Sequence, residues 1–222
     1  MKFCHLHHST VTLETATHFF VFDWYQGEIV FPADKTPVVI ATHGHADHYH
    51  PRIFTHAPEG TRFILSDDIQ TNSPHTSVGP DTSHAFDGYK ITCFGSTDQG
   101  ISLLLETHEG TFFFAGDLNA WIWPEDDEET QIKERDDFLR ELDKIKVYPV
   151  DLACVPADPR LGENFAEGVR LFDKIVNPRA VIPIHFQDDF DTARRLREKL
   201  PHTPIIQLKH PGDCADTFPH QV

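Results

Sequence analysis

The segment Thr42-His43-Gly44-His45-Ala46-Asp47-His48 puts three imidazoles and a carboxylate within six residues. Groups of these types crowd together at little cost only around a positive charge, and imidazole nitrogen and carboxylate oxygen are common ligands of zinc and related divalent ions. Gly44 and Ala46 leave the backbone room to curl around an ion. In an extended loop His43 and His45 point the same way, while Asp47 and His48 project towards a neighbouring position, so the spacing suits two ions side by side. The alternative is a chance cluster in a chain with 16 histidines. Residue type, order and placement after a strand-like run all speak against chance.

That run, Val38-Val39-Ile40-Ala41, has the pattern of a buried strand. A rigid scaffold presents functional groups on loops at one edge, so further ligands are expected where other apolar runs end. Residues 111–115 lead into Gly116-Asp117, residues 181–184 into His185, and residues 151–155 into Pro156-Ala157-Asp158-Pro159-Arg160. Each of these alone reads equally as a turn; together with the histidine motif they form a candidate site. His5, His7, His8, His18, His56, His75 and His84 lack ligand-type company in the sequence and read as surface or satisfied interior histidines, and His50 falls outside the motif's pattern.

The elements that must position these groups follow from periodicity. Strand-length apolar runs recur at 18–22, 37–41, 62–65, 89–94, 101–106, 111–115, 151–155, 180–184 and 204–208. Pro124 and the acidic stretch 125–129 open a segment to about Lys146, in which Phe138, Leu139, Leu142 and Ile145 share one helix face. The same spacing recurs within 163–176, and a third helix is expected over 191–200 with Asp191 as N-cap. Strands first and alternating helices later predict sheets covered on their outer faces by helices, in one α/β domain spanning residues 1–222.

Lys and Arg number 19 against 35 Asp and Glu, a net charge of −16 that disfavours nucleic-acid and anionic-membrane partners and leaves small molecules as the expected ones. No apolar run approaches the ~18 residues of a membrane span. Cys4, Cys93, Cys154 and Cys214 lie far apart, without C-x-x-C spacing, so reduced, mostly buried thiols in a cytoplasmic protein are expected; a homo-oligomer is compatible with all of this.

Taken together, THGHADHYH, FFFAGD and IPIH resemble the metallo-β-lactamase fold superfamily of metal-dependent hydrolases over nearly the whole chain, most nearly its compact ascorbate-phosphate-lactonase-like members. The resemblance implies a four-layered αββα sandwich, a first metal on His43 and His45, a second on Asp47, His48 and His185, and Asp117 bridging. It also gives Asp23, after Phe20-Val21-Phe22, a supporting role behind the metal loop. One departure stands out. Where relatives carry a third histidine for the first metal this chain has Thr97, and Asp98 beside it either supplies an oxygen ligand or caps the turn. An oxygen ligand would shift preference from zinc, as one or two ions, towards manganese or iron.

The chemistry implied is metal-assisted hydrolysis of a small, anionic ester, lactone or phosphoester. The ions lower the pKa of bound water from 15.7 to roughly 7 and Asp47 orients the resulting hydroxide. Arg160 either grips a substrate anion or sits in a surface ion pair, and Asn119, Trp121 and Trp123 adjoin Asp117 as candidates for the pocket wall. The alternatives are an iron-dependent oxidoreductase on the same fold and a non-catalytic metal-binding relative.

Overall fold

Alternation of side chains along nearly every strand divides the apolar residues between two faces, which is what two stacked sheets with covered outer surfaces require. The computed structural model describes residues 1–187 and 189–216. The first half contains β1 (Lys2–His7), β2 (Thr10–Glu14), β3 (His18–Phe22), β4 (Thr36–Ala41), the single-turn α1 (Ile53–His56), β5 (Arg62–Ser66), β6 (Thr76–Val78), β7 (Ser83–Phe86), β8 (Tyr89–Phe94) and β9 (Ser102–Thr107). Then follow β10 (Gly110–Phe114), α2 (Glu128–Ile145), β11 (Leu152–Pro156), a 3-10 turn (Pro159–Asn164), α3 (Glu167–Val176), β12 (Ala180–Ile184), α4 (Asp191–Lys199) and β13 (Cys214–Asp216).

One sheet has the order β13-β1-β2-β3-β4-β5-β6 and the other β12-β11-β10-β9-β8-β7. β3 to β6 run parallel, as do β10 to β12, and the remaining pairs are antiparallel. Phe20, Phe22, Val38 and Ile40 meet Phe112, Phe114, Leu103 and Ile182 between the sheets. Their neighbours of opposite parity, Phe113, Leu104, Ala153 and Val181, pack under Phe138 and Leu142 of α2, Phe172 of α3 and Leu196 of α4. Phe19, Val21, Val39 and Leu65 face the other way, beneath Ile53 of α1 and the loop residues Trp24 and Ile69. The αββα order expected from the sequence is present, with a thin outer layer on the first sheet.

Several expectations need correction. Residues 204–208 make only an isolated bridge, Ile205 to Val181, and no strand. The N-cap of α2 is Asp127, which accepts from the Thr130 amide, whereas Asp191 is the first residue of α4 and makes no capping bond. The β1–β2 hairpin was not foreseen, because its short strands carry polar residues that the sheet nevertheless buries, among them His5, Thr10 and Thr12. The thiol expectation holds for Cys93 and Cys154, which are buried and free, but Cys4 and Cys214 form a disulfide. β13 pairs antiparallel with β1 and sets these two residues directly opposite, with Cα atoms 4.1 Å apart. Disulfides are rare in reducing compartments, so the cysteines no longer argue for a cytoplasmic location. Among the described residues no helix is long and apolar enough to cross a membrane.

Candidate metal centre

Parallel strands deliver their C-terminal ends to one edge, and the candidate residues sit there. Asp23 follows β3, the histidine motif follows β4, Asp117 follows β10, Asp158 follows β11 and His185 follows β12. The loop after β8 brings Asp98 to the same place, anchored at Gly95, whose amide donates to Glu141 of α2 at 3.0 Å. Two groups of ligand atoms result. His43, His45, Asp98 and Asp117 form one, and His8, Asp47, His48 and His185 the other, with the ligand atoms of each group within 4.8 Å of one another. Asp117 faces both. Its Oδ2 lies 3.4 Å from His43 Nε2, and its Oδ1 lies 3.1 and 3.3 Å from the Nε2 atoms of His48 and His185.

The buried groups behind the site determine how each ring presents itself. Fully buried Asp23 accepts the Thr42 amide on Oδ1 (2.8 Å), and on Oδ2 the Thr42 hydroxyl (2.8 Å) and His48 Nδ1–H (2.7 Å). The Thr42 hydroxyl proton is thereby used, so its oxygen accepts from His43 Nδ1 at 3.1 Å. On the other side Asp158 Oδ2 accepts from His185 Nδ1 at 3.1 Å. All three rings therefore carry their proton on Nδ1 and offer Nε2 to the centre.

Without an ion His48 and His185 hold their protons tightly. Burial lowers the His48 pKa, but Asp23 and Asp117 outweigh it and raise the ring to about 10. For His185 burial is likewise outweighed by Asp117 and Asp158, giving about 9. Burial raises the Asp117 carboxyl, yet the facing rings of His185, His43 and His48 hold it well below the usual range. The adjacent His8 does the same for Asp47.

Asp98 Oδ2 lies 3.5 Å from His45 Nδ1, within the first group, rather than turned away as a simple cap. Thr97 serves a different purpose. Its hydroxyl donates to the Asn119 carbonyl at 2.7 Å and accepts from the Asn119 amide at 2.9 Å, tying this loop to the one after Asp117. His8, set aside on sequence, sits in the second group at the tip of the β1–β2 hairpin, only 3 % exposed. A two-residue hairpin turn favours Asn or Gly where φ is positive, so a histidine there (φ 45°) is the one local signal for its role. Asp23 (47°), His185 (61°) and Gln187 (53°) also hold left-handed backbone, so four of the six such non-glycine residues among those described surround the centre. Backbone strain concentrates at functional sites.

A cavity of about 420 Å³ opens over the two groups, lined on its floor by His45, Asp47, Asp98, Asp117 and His185. Trp121 and Trp123 form one wall with rings stacked 9° from parallel. Trp121 also packs edge-on against His185 and donates from Nε1 to the Asp117 carbonyl at 3.0 Å. Asp126, Glu134 and Arg160 complete the rim. Arg160 Nε donates to both oxygens of Asp158, at 3.0 and 2.9 Å, and Nη2 to Oδ2, so much of its fork is engaged behind His185. Asn119 does not line the cavity. Its amide is buried against Gly168 of α3, where a Cβ on the glycine would fall 1.8 Å from Asn119 Oδ1.

The donor set fits divalent ions. His43 Nε2, His48 Nε2 and Asp117 Oδ1 are buried polar atoms without hydrogen-bond partners, and they converge. Three unpartnered polar atoms facing one another in a protein interior are costly unless a cation joins them.

No protein-family model and no curated protein sequence matches this chain. Solved structures do. Igni18, a metallo hydrolase from the archaeon Ignicoccus hospitalis, superposes with a TM-score of 0.66 at 17% identity, over 96% of this chain and 97% of its own. The metallo-β-lactamase fold protein YhfI from Bacillus subtilis gives 0.66 at 12%, over 96% and 98%. CmlA, a diiron β-hydroxylase from Streptomyces venezuelae, gives 0.62 at 12%, over 96% of this chain but 53% of its own. Two facing mixed sheets, flanking helices and near-complete coverage of these compact structures together identify the fold of this chain as the metallo-β-lactamase fold.

Proposed function

We propose that the chain is a metal-dependent hydrolase of a small ester, lactone or phosphoester. In this reading His43, His45, Asp98 and Asp117 hold one divalent ion, and Asp47, His48, His185 and Asp117 a second. The observation that carries it is the Asp117 carboxylate, with one oxygen towards each set of imidazoles. A divalent ion in such a site lowers the pKa of water to about 7 and polarises an acyl or phosphoryl oxygen.

The chain's own residues supply the rest. Asp47, on the cavity floor and half exposed, accepts a hydrogen bond from the attacking water and orients it. Trp121 and Trp123 exclude solvent from one side and offer a flat apolar surface to the substrate. Arg160 is the one arginine or lysine among the described residues that line the cavity; with Nε and Nη2 bound to Asp158, it has Nη1 left for a substrate anion. Asp126 and Glu134 on the same rim oppose a highly charged anion, which favours a singly charged or neutral ester and disfavours nucleic acid.

The test is elemental analysis of the purified protein combined with turnover on a panel of lactones, carboxylic esters, phosphomonoesters and phosphodiesters. Activity that disappears on chelation and returns with zinc or manganese supports the proposal. Bound metal with no turnover on any ester would leave a non-catalytic metal protein. One observation favours a second reading, an iron-dependent oxidoreductase. With Asp98, the first set has two imidazoles and two carboxylates, an oxygen-rich set that suits iron or manganese better than zinc. Iron as the predominant metal, with oxygen uptake and no hydrolysis, would select it.

A further inference from the structure

If the second ion of the proposed centre is real, distance alone makes His8 one of its ligands. Its Nε2 is buried, makes no hydrogen bond closer than a 3.4 Å contact to Asp47 Oδ2, and lies in one group with Asp47, His48 and His185. Counting Asp117, the ion would then have five protein ligands and little room for substrate. Closed metal sites are structural, whereas catalytic ones keep a position open.

The other ring nitrogen decides. The Nδ1 atoms of His43, His48 and His185 each face an oxygen acceptor, so those rings carry Nδ1–H and a free lone pair on Nε2. His8 is the reverse. Its Nδ1 receives the backbone N–H of Gln187 at 3.1 Å. A backbone amide only donates, so Nδ1 holds the lone pair and the proton of the neutral ring sits on Nε2. A protonated nitrogen cannot ligate. It can donate, and Asp47 Oδ2 lies 3.4 Å away.

The surroundings hold the ring in this state. The His8 carbonyl accepts the His185 amide at 3.1 Å, and the His8 ring packs 4.1 Å from that of His185. The left-handed residues His8, His185 and Gln187 thus lock the hairpin tip and the loop after β12 together. His8 is not among the described residues that line the cavity.

We propose that His8 is a positioning residue and not a metal ligand: its Nε2–H holds the Asp47 carboxylate at the second ion. The Gln187 amide, by fixing that tautomer, keeps a coordination position open for substrate.

The test uses the full chain with isotopically labelled histidine, loaded with spin-half cadmium. Cadmium–nitrogen coupling is expected at Nε2 of His48 and His185 and absent at His8, with the His8 ring protonated at Nε2 and bare at Nδ1. Coupling to His8 Nε2, or a proton on its Nδ1, overturns the proposal. Absence of coupling at His48 and His185 as well would refute the second metal site itself, a separate failure. Two variants add an independent readout. His8→Gln retains an N–H near the position of Nε2, while His8→Ala does not. In chelator competition His8→Ala should weaken cadmium binding at the second site by about 10- to 100-fold without lowering the saturating metal count, and His8→Gln should recover most of that loss. Equal losses in both variants, a metal count lower by one, or no loss in either would each count against the donor role.

Discussion

Asp23→Asn changes no volume and removes one acceptor at the deepest point of the site. The asparagine carbonyl can keep the Thr42 amide, but its NH2 then replaces the oxygen that accepts both the Thr42 hydroxyl and His48 Nδ1–H. The threonine hydroxyl can rotate. The His48 ring can relieve the clash only by moving its proton to Nε2, which faces Asp117 at 3.1 Å and is the atom offered to the ion. In the metal-free protein His48 and Asp23 form a fully buried pair, and Asp23 and Asp117 raise the His48 pKa to about 10. Removing one partner of such a pair costs about 3–5 kcal/mol. At about 2–4 °C per kcal/mol for a chain of this size, the melting temperature should fall by about 6–20 °C. Loss of the supporting carboxylate should also weaken metal binding by about 10- to 100-fold. Because the Thr42 hydroxyl links Asp23 to His43 as well, both ions should be affected, the second more strongly. Calorimetry of the metal-free variant and chelator competition on the loaded one give the two readouts. A melting temperature within about 2 °C of wild type together with unchanged affinity would refute the view that Asp23 sets the histidine tautomers.

Other perturbations probe different parts of the molecule. Gly100 has φ +67°, and a Cβ there would fall 2.0 Å from the Thr42 carbonyl oxygen and 2.7 Å from His43 Cβ, so Gly100→Ala should cost about 2–5 kcal/mol and loosen the first ion. Gly60→Ala, at φ +85° with nothing within 4 Å, should cost only the backbone penalty of about 1–2 kcal/mol; equal melting temperatures for the two variants would contradict the steric argument. The raised pKa values of His48 (about 10) and His185 (about 9) contribute stability to the metal-free protein that is fully present below the unfolded value of 6.5 and lost as pH rises through 9 and 10. Calorimetry should therefore show metal-free protein losing stability between neutral pH and pH ~10, and metal-loaded protein, whose ions have displaced those protons, holding nearly level. Reducing the Cys4–Cys214 bridge, which spans a separation of 210 residues, should lower stability by up to about 5 kcal/mol; a melting curve indifferent to reductant would show that the bridge contributes nothing.

The fold was legible because its core strands are short, apolar and separated by clear turns, so that β3, β4, β8 and β12 fall where periodicity puts them. The histidine motif was legible for a related reason. Its residues are near neighbours in the chain and follow a buried strand, so local geometry alone makes them converge. Asp117 and His185 were found by the same rule, as polar residues just beyond apolar runs.

Only the tertiary structure could decide what depends on residues distant in the chain. The bridge between Cys4 and Cys214 follows from β13 pairing with β1, and no spacing encodes it. Asp158 reads in sequence as another strand-end carboxylate, yet it stands behind His185 and takes up most of the Arg160 fork. His8 carries no signal beyond its place in a tight turn, and it reaches the centre only because the first hairpin lies against the loop after β12. The protonation of each ring lies further still from the sequence. A histidine's type says that it can bind a metal, but which nitrogen is free to do so is set by the donor or acceptor across from the other one. Here that partner ranges from the adjacent Thr42 for His43 to the Gln187 amide, 179 residues away, for His8.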